Sequence, residues 1–220
     1  KITGQVADLL TVSGVDAQAN ADIQSFNKQN ISELTHLFKQ LGTELPVDLL
    51  PQSISLNTGI KGSLEQLSLD NIQGEVKDKG IIAGLSGKVG NLLDPSGVDI
   101  KLTLDSDSIA SFSKYAGSEL PQSDPLNVLA TLTEDSSKHS KFTLHAESGG
   151  VNVDINSALA SLTLEEPIDL DMSIKTASMS NFDKLAQIKF SDQGPLDLNA
   201  KLHIRKNSFA VNDLNLLLND

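Results

Sequence analysis

Four histidines, His36, His139, His145 and His203, are the side chains best suited to bind a metal or move a proton near neutral pH. None stands at a ligand spacing such as H-x-x-x-H, and His145 and His203 fall in alternating runs that read as strands, so no metal centre is expected. Ser111-Phe112-Ser113-Lys114 matches the S-x-x-K nucleophile motif, but no S-D-N or K-T-G follows it. Asp105-Ser106-Asp107 lacks the glycine and late glutamate of a calcium loop and suits a helix start, where acids oppose the macrodipole. Asp169 and Asp171 form a carboxylate pair of the kind that does acid–base work. An alternating strand produces that spacing by default. The glycines between Gly80 and Gly90 do not form a phosphate-binding loop. With no cysteine, thiolate ligands, cysteine nucleophiles and disulfides are absent. The expectation is a non-enzymatic protein without a cofactor.

What remains is a surface, and the elements that build it are strands. From Val47 onward, apolar and polar residues alternate in short runs. Leu126, Val128, Ala130 and Leu132 share one face, as do Phe142, Leu144 and Ala146, then Val151, Val153 and Ile155. Leu162 and Leu164 follow. Ile168, Leu170, Met172 and Ile174 oppose Asp169, Asp171, Ser173 and Lys175. The run from Leu196 to Ile204 is the longest, and Phe209, Val211, Leu214, Leu216 and Leu218 close the chain. Turn residues such as Asp94-Pro95-Ser96-Gly97 and Ser148-Gly149-Gly150 separate the runs, so antiparallel hairpins in a meander are expected.

Three short helices are predicted between strands. Leu34, Leu37, Phe38 and Leu41 keep helical spacing, with Asn30 and Glu33 as a capping box and Gly42 as the stop. A second helix over 108–117 buries Ile109, Phe112 and Ala116, and a third over 178–187 buries Met179, Phe182 and Leu185.

The chain also repeats. A shift of seventy positions lays Val98–Leu104 over Ile168–Ile174, Ser108, Phe112 and Lys114 over Ser178, Phe182 and Lys184, and Pro125–Leu132 over Pro195–Leu202. The second lysine motif, Asn181-Phe182-Asp183-Lys184, lacks the serine, which points away from catalysis. Each unit is expected to be a helix followed by five or six strands, with units at about 30–104, 105–174 and a partial 175–220. Residues 1–29 read as the tail of a preceding unit, and 1–220 as one repeat-built region of a larger protein.

Composition agrees with a thin apolar layer: 39% of the 220 residues are hydrophobic but only 4% aromatic. The net charge of −12 disfavours nucleic acid and polybasic membrane anchoring. The sheet has few helices to cover its apolar side. It must therefore pack on another sheet, close on itself, or curl into a trough lined by aliphatic side chains. Alternation marks the inward face without saying what fills it.

The units Gly59–Gly74 and Val98–Leu104, with the 108–112 helix start after the latter, resemble the AsmA family of Gram-negative envelope proteins, relatives of TamB and YhdP. The resemblance covers most of residues 20–220, without the L-Y-G-G signature of the family's C-terminal module. It implies a long curved antiparallel sheet with an apolar groove, in the periplasm, tethered to the inner membrane by a segment outside these residues. It also implies that phospholipid or another acyl-chain lipid is the partner, with other envelope proteins, in outer-membrane assembly. Groove-lining residues would be Val128, Ala130, Leu132, Phe142, Leu144, Leu170, Met172, Ile174, Leu198 and Leu202. Two alternatives stand beside this: a structural or adhesive β-repeat module with a packed core and no lipid, and, more remotely, a closed single-ligand barrel.

Overall fold

Alternation at period two fixes extended chain, and short turns fix antiparallel neighbours; the computed structural model carries both to the whole molecule. It describes residues 1–8, 13–26, 31–33, 35–36, 39, 46–63, 65–135, 137–159, 167–190, 194–205 and 208–218. Among the described residues, twelve strands form one mostly antiparallel sheet in which each pairs with the next in sequence, and the sheet is not closed into a barrel. They are β1 (Ile2–Asp8), β2 (Ser13–Ile23), β3 (Ser53–Gly62), β4 (Leu67–Asp78), β5 (Ile81–Val89), β6 (Asp99–Ser106), β7 (Leu126–Glu134), β8 (Ser140–Ser148), β9 (Val151–Leu159), β10 (Ile168–Thr176), β11 (Leu196–Arg205) and β12 (Ser208–Leu218).

Helical segments interrupt the meander after β2, β6 and β10, so four strands separate one from the next. Where five or six strands per unit are expected, the described residues hold four between one helical segment and the next. A bulge in β4 breaks the alternation at Asn71 without ending the strand. Residues Leu34, Leu37, Phe38 and Leu41 of the first predicted helix, with Asn30 and Gly42, lie outside the described residues, as do Leu162 and Leu164. Their described neighbours Ile31–Glu33, Thr35, His36 and Lys39 are helical.

The second and third helices share one construction. Each begins as a 3₁₀ turn, Ile109–Phe112 or Met179–Phe182, and continues as one α turn, Ser113–Ala116 or Asp183–Ala186. Ser108 and Ser178 are the N-caps, accepting from the Ala110 and Ser180 amides at 3.2 Å. The helices stop at Gly117 and Gln187, both left-handed at φ 65° and 55°. Ala116 is exposed, contrary to expectation, because it sits at that left-handed exit. Past the exit, the Leu120 amide donates to Ser113 Oγ and, seventy residues on, the Phe190 amide donates to Asp183 Oδ1. The sequence repeat is thus a repeat of individual hydrogen bonds.

These helices dock at the strand ends. Gly80 and Gly150, in the β4–β5 and β8–β9 turns, have φ of 67° and 80°. A Cβ on Gly80 would meet Ser111 Oγ, and one on Gly150 would meet Asn181 Nδ2. Beneath each helix lies a buried row that includes Ile81, Ser106, Ser148, Val151, Thr176 and Leu196. The hydroxyls in it are satisfied: Ser106 donates to the Gly80 and Ser108 carbonyls, Thr176 to the Ser178 carbonyl.

One ion pair fastens the second helix to the preceding unit. Lys114 Nζ lies 2.5 Å from Asp78 Oδ2 and donates to the Leu50 carbonyl, while the Tyr115 hydroxyl donates to Asp78 at 2.6 Å. Lys184 makes the corresponding bond backwards, to Asp124. Burial by itself would raise the Asp78 carboxyl, but the bonds from Lys114 and Tyr115 outweigh it and hold the carboxyl below its ordinary 3.8. Burial would likewise lower the Lys114 ammonium, and the Asp78 carboxylate outweighs it and holds the ammonium above 10.5.

Two outcomes follow for stability. Asn71 sits in the β4 bulge at φ 50°. Asn71→Gly is expected to be near neutral and Asn71→Val to cost about 1–2 kcal/mol in urea unfolding, because a β-branched residue resists the left-handed region. The Asp78 contribution is complete above the ordinary carboxylate pKa of 3.8 and is lost as pH falls through the lower folded value. The Lys114 contribution is complete below 10.5 and is lost as pH rises through the higher folded value. Asp78→Asn is therefore expected to cost on the order of 1–2 kcal/mol near neutrality and to flatten the stability profile at both ends, read from urea midpoints across pH.

Candidate functional site

In an antiparallel ladder, residues directly opposite one another project to the same side. Following the partners across the sheet therefore assigns each side chain a face. One line runs Ala21, Leu56, Gly74, Leu85, Leu102, Ala130, Leu144, Ile155, Met172, Ala200 from β2 to β11. A second runs Ile23, Ile54, Val76, Ala83, Leu104, Val128, Ala146, Val153, Ile174, Leu198, Leu216 from β2 to β12. Both lines are apolar throughout. The opposite face carries Asp16, Lys61, Glu75, Lys101, Asp154, Asp171 and Lys201 among others.

All ten predicted lining residues fall on the apolar face. Leu132 opposes Phe142, Ala130 opposes Leu144, and Val128 opposes Ala146. Leu170 opposes Leu202, Met172 opposes Ala200, and Ile174 opposes Leu198. Each of the ten is half-buried and none is fully buried. Among the described residues, the extensive packing is between neighbouring strands, and the sheet is single, with no second sheet across the apolar face. The buried apolar residues are few: Ile72, Ile81, Val98, Val151, Leu196 and Ala200.

Inside the edge strands, the apolar face is most exposed over β3–β6. Leu56, Leu85 and Leu102 are 39%, 37% and 41% exposed along one line, and Gly74 lies between the first two. A Cβ on Gly74 would sit 3.5 Å from both leucines, in ordinary contact, so the backbone accepts a side chain there.

Two bulges keep the face continuous. Leu67 and Leu69 are odd-numbered, Ile72, Gly74 and Val76 even, and the extra residue at Asn71 turns both sets to the same side. In β12, Asp213 at φ 51° does the same between Phe209 and Val211 and Leu214, Leu216 and Leu218.

Of the titratable residues singled out earlier, His145, His203, Asp169 and Asp171 lie on the polar face, His139 in the β7–β8 connection and Lys114 in the second helix. His145 Nδ1 lies 2.8 Å from Asp154 and His203 Nδ1 lies 2.6 Å from Asp169, each across a strand pair. His139 is 3.7 Å from Asp135, whose carboxyl is held below its ordinary value by the His139 and Ser137 amides. Lys114 is engaged by Asp78 and the Leu50 carbonyl, away from S-x-x-K chemistry. A hollow of about 430 Å³ lies between Glu134, Asp135, His139, Lys141, Asn156 and Asp171. Among the described residues, no group of three or more His, Asp or Glu is placed to share a metal ion, and no helix is long and apolar enough to cross a membrane.

Sequence reading missed the Asp78–Lys114–Tyr115 cluster and the buried hydroxyls of Ser106 and Thr176. The second pair was detectable, since Ser106 and Thr176 stand seventy positions apart. No protein-family model, curated protein or solved structure matches the chain.

Proposed function

We propose that this chain is a non-enzymatic lipid-binding repeat of AsmA type. It holds phospholipid acyl chains along its apolar face and supports outer-membrane assembly from the periplasm, tethered to the inner membrane. The observation that carries the reading is the continuous aliphatic face of a single-layer sheet, partly exposed along most of its length. In a packed β-repeat module the same side chains would meet a second layer and fall out of contact with water.

The face suits chain-like apolar ligands by area and not by any single contact. Each methylene fully covered is worth up to about 0.8 kcal/mol, so binding scales with chain length. The small residues Gly74, Ala83, Ala130 and Ala146 lower the floor between leucines and leave room for a tail. The paired charges of the opposite face, such as Lys175 with Asp197 at 3.6 Å, keep that side in water.

Phospholipid is expected to co-purify from a Gram-negative host, detected in organic extracts by mass spectrometry. Gly74→Phe fills the open line and is expected to lower fluorescent fatty-acid binding by about tenfold, the equivalent of losing about two buried methylenes, with an unchanged circular dichroism spectrum. Ala130→Asp and Leu198→Asp are expected to abolish uptake while the protein stays folded, because a carboxylate on an open face keeps its water. Unfolding of both aspartate variants, with no extractable lipid, would instead point to a packed core.

A further inference from the structure

The β5–β6 connection, residues 90–98, lies at the end of the sheet away from the second helix, because β5 leaves that helix at Ile81 and β6 returns to it at Ser106. It is longer than the β3–β4 and β7–β8 connections at the same end, 63–66 and 135–139. Its backbone is fixed. The Gly90 and Asn91 amides donate to the Gly97 and Ser96 carbonyls at 3.1 and 3.0 Å, and the Leu92 amide donates to the Leu67 carbonyl of β4 at 2.7 Å. The Leu93 amide donates to Asn91 Oδ1 at 3.1 Å, and Glu134 of β7 accepts from the Gly97 amide.

What this fixed loop presents is apolar. Leu92 is 39% exposed and Leu93 59%, side by side at the tip. Turns are made by Gly, Pro, Asn, Asp and Ser, and Asn91, Asp94, Pro95 and Ser96 supply them here without the leucines. Two side chains are too small a surface for a stable protein interface, which takes about 800 Å² from each partner. A bilayer asks for less: apolar side chains that pass the polar surface and reach the acyl boundary. The loop also continues the open part of the apolar face, since it joins the two strands that carry Leu85 and Leu102. Charge does not select the partner, because Lys88 and Lys101 offset Asp94 and Asp99 within this hairpin.

We infer that the β5–β6 loop is a membrane-contact element: Leu92 and Leu93 enter the surface of a phospholipid bilayer and bring the open stretch of the apolar face to the acyl chains there. The inference rests on the lipid-binding reading above and adds to it a partner, the bilayer, and the rim of the sheet that meets it.

The chain has no tryptophan, so Leu93→Trp places a single reporter at the tip. Ile188→Trp places one at a similarly exposed position, 61%, beside the third helix. With vesicles of phosphatidylethanolamine and phosphatidylglycerol, emission from the Leu93→Trp chain is expected to shift to the blue and to be quenched by brominated acyl chains. The Ile188→Trp chain is expected to stay open to iodide in the water. Leu92→Ser with Leu93→Ser should weaken vesicle partitioning by at least about tenfold and leave the binding of a fluorescent fatty acid from solution unchanged. Leu93→Ser alone serves if the double variant fails to fold. The inference is overturned if the parent binds fatty acid but not vesicles, if both tryptophan variants respond alike, or if the serine variants partition as the parent does. A parent that binds neither vesicles nor fatty acid overturns the lipid-binding reading, and this inference with it.

Discussion

Everything in this molecule depends on parity. A strand turns its side chains to alternate faces, so a slip of one residue in any of the eleven pairings would move the aliphatic set of that strand to the wrong side. The register holds that parity from β2 to β12, and where the sequence loses count, a single residue restores it. Asn71 and Asp213 are the residues that do so, and both are of the types that tolerate a left-handed backbone. The apolar face is a product of pairing, since among the described residues no second layer is there to select it.

Because no second layer covers the apolar side among the described residues, stability has to come from elsewhere. The buried material is concentrated along the row under the helices, where Ile81, Val151 and Leu196 meet satisfied hydroxyls. The helices themselves are two turns each, too short to persist alone. They are held by serine caps, by left-handed exits and by lysines that reach back to the preceding unit. The same groups recur at seventy-residue spacing, with substitutions that preserve the bond: Ser113 becomes Asp183, and each accepts the amide seven residues on.

Much of this was legible in the sequence. The strands from β7 to β11, the exits at Gly117 and Gln187 and the shared face of the ten lining residues all follow from periodicity and the repeat. The bulge at Asn71 was not legible as a bulge. It breaks the alternation that identifies a strand, whereas the expected five or six strands per unit counted the run at Leu162 and Leu164, which lies outside the described residues. Asp78 and Lys114 are thirty-six positions apart and lie in different units, so no local pattern links them. The candidate site was legible as a face because alternation records which way side chains point. Whether a second layer covered that face depended on strand order, which alternation does not encode.

The nearest-neighbour order of the strands has a kinetic side. Each strand needs only the one before it as a template, so loop-closure costs stay small and contact order stays low for a β protein. The sheet can be laid down from one end, strand by strand, as the polypeptide emerges from a ribosome or a translocation pore. At every stage the growing edge is the reactive element, and the chain matures by handing that edge from one strand to the next.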